Sequence, residues 1–216
     1  MSDEALIREA RRIHARYQRE IVEAFVLCPF AAKSREDATT LEIVRTEAEP
    51  HVDAVLDDVR VIPADVEVAF VIFPRWRVER RALSRFVETL RSAHQAGPGG
   101  LVMTMEGFHP DAEADVSSAG SLVPFLRRTA DPTIQLTRLS VLERVRATTG
   151  GTTKYVDPAT IDVAALLAEP PERSLHERIS EANYRTVRER GAETISRVYA
   201  EIRADRDASY ARAEAE

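Results

Sequence analysis

The chain holds one cysteine, Cys28, within the segment Ala24-Phe25-Val26-Leu27-Cys28-Pro29-Phe30-Ala31. Pro29 disfavours helical backbone at the residue before it, so this thiol stands where an amphipathic helix has to stop. A cysteine so placed is either a small core hydrophobe or a chemical group held on rigid backbone. As a nucleophile or metal ligand it would act as the thiolate, which needs a nearby cation, and Lys33 and Arg35 follow closely. A second chemical segment is Phe108-His109-Pro110-Asp111. It places an imidazole just past the end of an apolar strand, where layered folds collect ligands, with Asp111 two residues on to orient it. The same segment also reads as an Asp-initiated loop in which His109 bonds only locally. Arginines supply the third element. Arg128 and Arg138 flank one strand, and a guanidinium fork suits the two oxygens of a carboxylate or phosphate.

Cofactor chemistry has less to stand on. Cys28, His109 and Asp111 would supply three ligands of a zinc site, but no paired Cys or His spacing accompanies them. One cysteine suffices as an axial haem ligand, although no covalent haem-attachment motif is present. The glycines from Gly97 to Gly100 match neither a dinucleotide loop nor a phosphate loop. Ser117, Ser118 and Ser121 lack the strand-turn-helix setting of a nucleophile elbow. The cofactor, if there is one, stays unknown.

Composition bounds the classes. A net charge of −6 argues against a general nucleic-acid binder, despite the local cluster Arg75, Arg77, Arg80 and Arg81. One cysteine forms no internal disulfide, which fits a reducing compartment. The amino terminus is acidic and helical in pattern, without the basic-then-apolar order of a signal peptide. The longest apolar runs, such as Val68 to Phe73, fall far short of the ~20 residues a membrane span needs. The expectation is therefore a cytoplasmic protein that binds neither nucleic acid nor membrane.

The elements that must position these residues follow from periodicity. Leu6, Ala10, Ile13, Tyr17, Ile21 and Phe25 recur at three or four, predicting a helix from about Asp3 to Leu27. Leu41 to Arg45 reads as a strand. Pro50 opens a helix with Val52, Val55, Leu56 and Val59 on one face. Val66 to Phe73 alternates little and predicts a central strand covered on both sides. A helix over Arg80 to Gln95, a strand over Leu101 to Met105 and a loop over Ala112 to Ser121 follow. Then come a short helix at Leu122 to Arg127, a strand at Ile134 to Arg138 and a helix around Val141 to Arg146.

This alternation predicts an α+β layered sandwich, with about four strands covered by helices. Strand order is open between a ferredoxin-like arrangement and a small open sheet. Residues 1–150 form the expected core domain and 151–216 an extension. The extension holds a small element near Asp157 to Ala168 and a long charged helix from Leu175 to about Ala204. Its apolar stripe at Ile179, Val187, Ile195, Val198 and Ile202 would pack on the domain or on a second subunit. The tail from Asp205 to Glu216 is polar and expected to fray.

Four segments together suggest a family. Val26-Leu27-Cys28-Pro29-Phe30-Ala31 resembles the "LCPFA" motif of the bacterial proteins known as domain of unknown function 1415. Val71-Ile72-Phe73-Pro74 is similar to that family's "LLVFP" strand, and Phe108-His109-Pro110-Asp111 to its "FHPD" segment. Arg127 to Arg138 runs without gaps against "NRSPYPMLHLLR", sharing Arg128, Pro132, Leu136 and Arg138. Ile179 to Gly191 echoes its closing helix. Arg127 stands where the motif has Asn, Gln135 where it has His, and the loop from Asp111 to Ser121 lacks the family's aromatic continuation. The resemblance supplies positions and implies no reaction.

The expectation is a small-molecule enzyme with its site at the strand ends. Cys28 and His109 would do the chemistry, with Asp111 orienting the imidazole. Arg128 and Arg138, with Lys33 and Arg35, would bind a small anionic substrate. Two alternatives stand beside it: a protein holding a metal or haem through Cys28 or His109, and a non-enzymatic interaction protein that forms a homodimer through the C-terminal helix.

Overall fold

A computed structural model describes residues 3–28, 30–97, 102–112, 115–148 and 175–215. The expected element near Asp157 to Ala168 lies outside them. Four strands form one mixed sheet: β1 Thr40–Val44, β2 Val68–Ile72, β3 Met103–Phe108 and β4 Thr133–Arg138. They lie in the order β1-β2-β4-β3, so the choice left open by the sequence resolves to an open mixed sheet. β1 and β2 pair in parallel, while β4 returns antiparallel between β2 and β3.

Side chains alternate across β2, and each face has its own cover. Ala69, Val71 and Phe73 share a core with Val55, Leu56 and Val59 of α3 (Val52–Arg60) and with Leu83, Val87 and Leu90 of α4 (Arg80–Ala96). Phe70 and Ile72 face the other way, onto Leu6, Ala10, Ile13 and Tyr17 of α1 (Asp3–Tyr17). The result is the expected α+β sandwich with helices on both faces of a four-stranded sheet. The near-continuous apolar run in β2 follows from this double covering.

The first helix departs from expectation. Its α-helical part ends at Tyr17 and passes into a π-helical segment, Gln18–Glu23, instead of running on to Leu27. A turn follows in which Val26 takes φ 51°, and then a short helix α2 (Ala31–Glu36) that periodicity does not reveal. A β-branched residue in the left-handed region is strained, and the turn holds it with backbone bonds on both sides. Val26 N–H donates to the Glu23 carbonyl at 3.0 Å, and Leu27 N–H to the Val22 carbonyl at 2.9 Å.

Two short helices flank β4, α5 (Leu122–Leu126) and α6 (Leu139–Thr148). The expected long C-terminal helix is present but divided. α7 (Leu175–Arg190) stops at Gly191, whose φ of 85° suits a residue without Cβ, and α8 (Ala192–Ala215) begins directly after it. Of the tail expected to fray, residues 205–215 belong to α8. Val187, Ile195, Tyr199, Ile202 and Tyr210 are buried in the same core as α1, so the stripe packs on this chain's own first helix. Asp205 accepts from Arg12 and Arg16, both at 2.7 Å, clamping α8 to α1. Among the described residues no helix is long and apolar enough to cross a membrane.

Candidate functional site

On the α1 side, the sheet and its helical cover leave an open cleft of about 540 Å³. That is within the range of small-molecule sites, roughly 300–1,000 Å³. Its floor is one row across the sheet. Register places Glu42 of β1 beside Phe70 of β2 and Phe70 beside Gln135 of β4, and all three side chains line the cleft. Apolar walls come from Val22, Leu27, Phe108, Val123 and Leu126.

Cys28 lines this cleft and is exposed within it. It sits on the connection between the π-helical segment and α2, and one ion pair closes that connection. The Arg35 guanidinium donates from Nε to Glu23 Oε1 at 2.8 Å and from Nη2 to Oε2 at 3.0 Å. The thiol is reachable from solvent yet surrounded by cleft walls, so desolvation pushes its pKa up. The Phe30 and Ala31 backbone N–H groups oppose this only in part. At neutral pH Cys28 is therefore a thiol, a neutral hydrogen-bonding group and not a ready nucleophile.

Arg35, expected to bind substrate, also lines the cleft, but the remaining expected site residues lie elsewhere. Phe108 faces the cleft, but His109, one residue later, is buried and turns its ring to the opposite side. There Nε2 meets the Val78 carbonyl at 2.8 Å, beside the α3–α4 core. Nδ1 accepts from the Asp111 backbone N–H at 3.0 Å, which leaves the proton on Nε2 as donor to Val78. Both ring nitrogens are spent on the fold. Asp111 does orient the imidazole, but through its backbone; its carboxylate takes the Arg203 guanidinium at 2.9 Å.

The arginines also disperse. Arg138 pairs in register with Met103, at the start of β3, whereas Phe108 at its end pairs with Thr133. With ~3.3 Å per residue, Arg138 and His109 are separated by the length of the strand. Arg138 is occupied by the Val66 and Pro63 carbonyls at 2.9 and 2.8 Å. Arg128 lies over the rings of Phe125 and Tyr199, at 4.2 and 4.7 Å from their centroids, and reaches Ser196 on α8. Lys33 is exposed on α2 and does not line the cleft. Among the described residues no three His, Cys, Asp or Glu side chains gather as a metal-ligand set.

The residues that do meet Cys28 at the cleft are Glu42, Gln135, Gln18, Arg19, Arg127 and Asn183. Arg127 lies next to Arg128 in sequence, but the end of α5 turns it to the opposite role: it lines the cleft and pairs with Glu106 at 2.6 Å. Gln135 carries a hint in the alternation of β4, since Ile134 and Leu136 are buried on the α3–α4 side. Glu42 carries the same kind of hint, as the polar residue between Leu41 and Ile43. No family model, no curated protein and no solved structure matches this chain.

Proposed function

We propose that this chain binds a small, mainly apolar molecule in the cleft between the sheet and the helices of the α1 layer. The observation that carries this reading is the cleft itself: its volume, its apolar walls, and a few polar groups converging on it from Cys28, Glu42 and Gln135. Cys28 would serve as a hydrogen-bonding or slowly reactive thiol beside the bound molecule. A hydrolytic or transfer role for it would not use His109, which is engaged on the other side of the sheet.

An acidic group on the ligand would meet Arg19 or Arg127. Arg127 already holds Glu106, while Arg19 makes one hydrogen bond among the described residues, from Nε to the Ala15 carbonyl at 3.3 Å. Kinship with the domain of unknown function 1415 family is part of the same proposal. It rests on the four sequence segments, of which the first holds Cys28 and the third Phe108, two residues that line the cleft.

The test is a panel of small organic molecules scored by thermal shift and by protection of Cys28 from iodoacetamide. A true occupant raises the melting temperature with concentration, as ligand linkage requires, and slows Cys28 alkylation in parallel. Thermal stabilisation without any protection of Cys28 would put the ligand elsewhere and remove the reading.

A further inference from the structure

We propose that the sheet side of the cleft recognises a protonated nitrogen, an ammonium or amidinium group, through the Glu42 carboxylate beside the Phe70 ring. This rests on the cleft reading above. Glu42 lines the cleft from β1 with its side chain 28% exposed, so its carboxyl is partly removed from water. Among the described residues, no donor bonds its carboxylate oxygens. His14 Nε2 lies 4.0 Å from Oε1.

That imidazole offers no proton. Gln18 Nε2, an amide nitrogen that only donates, lies 3.2 Å from His14 Nε2, which must therefore be the accepting nitrogen. His14 is buried with its ring tilted against Phe70, 4.6 Å between ring centroids, so it stays neutral. The nearby cation, Arg11, bonds the Glu42 backbone carbonyl at 3.4 Å, and its charge acts on the carboxylate without a hydrogen bond to it. Glu42 is thus a carboxylate lining the cleft with no protein donor on its oxygens among the described residues. Burial raises its pKa, opposed in part by the Arg11 charge.

A ligand ammonium would offset that burial with charge-assisted hydrogen bonds, and Phe70 beside Glu42 in register adds a ring face for the cation. The apolar walls of Leu27, Val22 and Leu126 would take the rest of the molecule.

Three probes with one apolar body separate the outcomes: 4-phenylbutylamine, 4-phenylbutanol and 4-phenylbutyrate, titrated at neutral pH with NMR shifts of cleft amides as the readout. The expected result is that the amine binds at least about tenfold more tightly than the alcohol, the scale of one charge-assisted bond. In Glu42→Gln that advantage of the amine over the alcohol should fall below about twofold. Alcohol binding with no preference for the amine, or a preference for butyrate, overturns the role of Glu42 and leaves the cleft reading standing. Failure of all three probes to shift cleft amides overturns the cleft reading and this inference with it. Should Glu42→Gln not fold, the ranking of the three probes on the unaltered protein still decides.

Discussion

Asp131 and Arg206 meet 2.9 Å apart with side chains only 3% and 7% exposed, joining the turn before β4 to the last helix. Tyr210 donates its hydroxyl to the second carboxylate oxygen at 2.6 Å, and Arg206 also donates to the Pro74 carbonyl at 2.9 Å. Removing one member of such a pair strands the other in a low-dielectric interior. Asp131→Asn is expected to cost about 3–5 kcal/mol, the scale for breaking a buried pair from one side. Tyr210→Phe should cost only about 1 kcal/mol, since the carboxylate keeps its cation. Urea denaturation followed by Trp76 fluorescence measures both, and equal losses would refute this ranking.

His14 gives the fold an acid limit. Its ring is buried against Phe70, and desolvation lowers its pKa from 6.5 to about 3. The unfolded chain takes up a proton below about pH 6.5 that the native chain refuses until about pH 3. Stability is therefore complete above that window and falls on acidification through it, by up to ~1.4 kcal/mol per pH unit. His94, also lowered by burial, adds to the same slope. Asp205, held at about 2 chiefly by its hydrogen bond from Arg12, contributes above its ordinary 3.8 and loses that contribution only as pH falls towards 2. Between pH 6.5 and 4.5 a His14→Phe variant should thus show a flatter dependence of unfolding free energy on pH. An unchanged slope would assign the limit to another group.

Layering was legible because two periods were strong. The three-to-four spacing of Leu6, Ala10, Ile13 and Tyr17 and the uninterrupted run from Val68 to Phe73 demand a helix on a doubly covered strand. The π-helical turn after Tyr17 was not legible, since Ile21 and Phe25 continue the helical stripe and stay buried either way. The division at Gly191 had its signal in the glycine itself, outweighed by the charge pattern on both sides.

For the site, Cys28 lines the cleft. His109 and Arg138 went astray because strand order decides which strand ends coincide. β4 runs antiparallel, which puts its carboxyl end beside the amino end of β3. Glu42 and Gln135 become legible only when the face they share is known. Alternation sets them apart from their buried neighbours but does not say that a cleft lies over them.

The separation of Cys28 from His109 has a direct readout. His109→Ala would leave the Val78 carbonyl and the Asp111 N–H without their partner in a buried setting, at a cost of about 1–3 kcal/mol. Cys28→Ser, at an exposed position, should change stability by less than about 0.5 kcal/mol. Alkylation of Cys28 in His109→Ala should keep its native rate under conditions where that variant is folded. A large change in rate would mean that the imidazole acts on the thiol after all.

Tyr199 presents the opposite case, a polar group whose removal should help. Its hydroxyl is buried without a hydrogen-bond partner among the described residues, while its ring carries the Arg128 guanidinium and contacts Tyr17 edge-on. Tyr199→Phe keeps both ring contacts and removes the unsatisfied oxygen, so stability should rise by about 1 kcal/mol. A loss of similar size by calorimetry would reveal a partner for that hydroxyl.

Two positions test how far the backbone is at its optimum. α2 ends in a turn where Thr39 N–H reaches the Ser34 carbonyl at 3.0 Å and Ala38 N–H reaches the Arg35 carbonyl at 3.2 Å. This is the paired closure that calls for a left-handed residue, and Ala38 supplies it at φ 55°. An alanine there bears a Cβ clash of about 1 kcal/mol that glycine does not. Gly191 occupies the corresponding place after α7 at φ 85°, and its nearest obstacle to a Cβ is Thr194 Oγ1 at 3.6 Å, an ordinary contact. The cost of a side chain at 191 is therefore conformational, not steric crowding by neighbours. Ala38→Gly should stabilise by about 1 kcal/mol and Gly191→Ala should destabilise by about the same. Because α2 forms one wall of the cleft through Ala31, Ser34 and Arg35, Ala38→Gly should also leave Cys28 alkylation unchanged. Stabilisation together with a slower reaction at Cys28 would show instead that strain at Ala38 holds the cleft open.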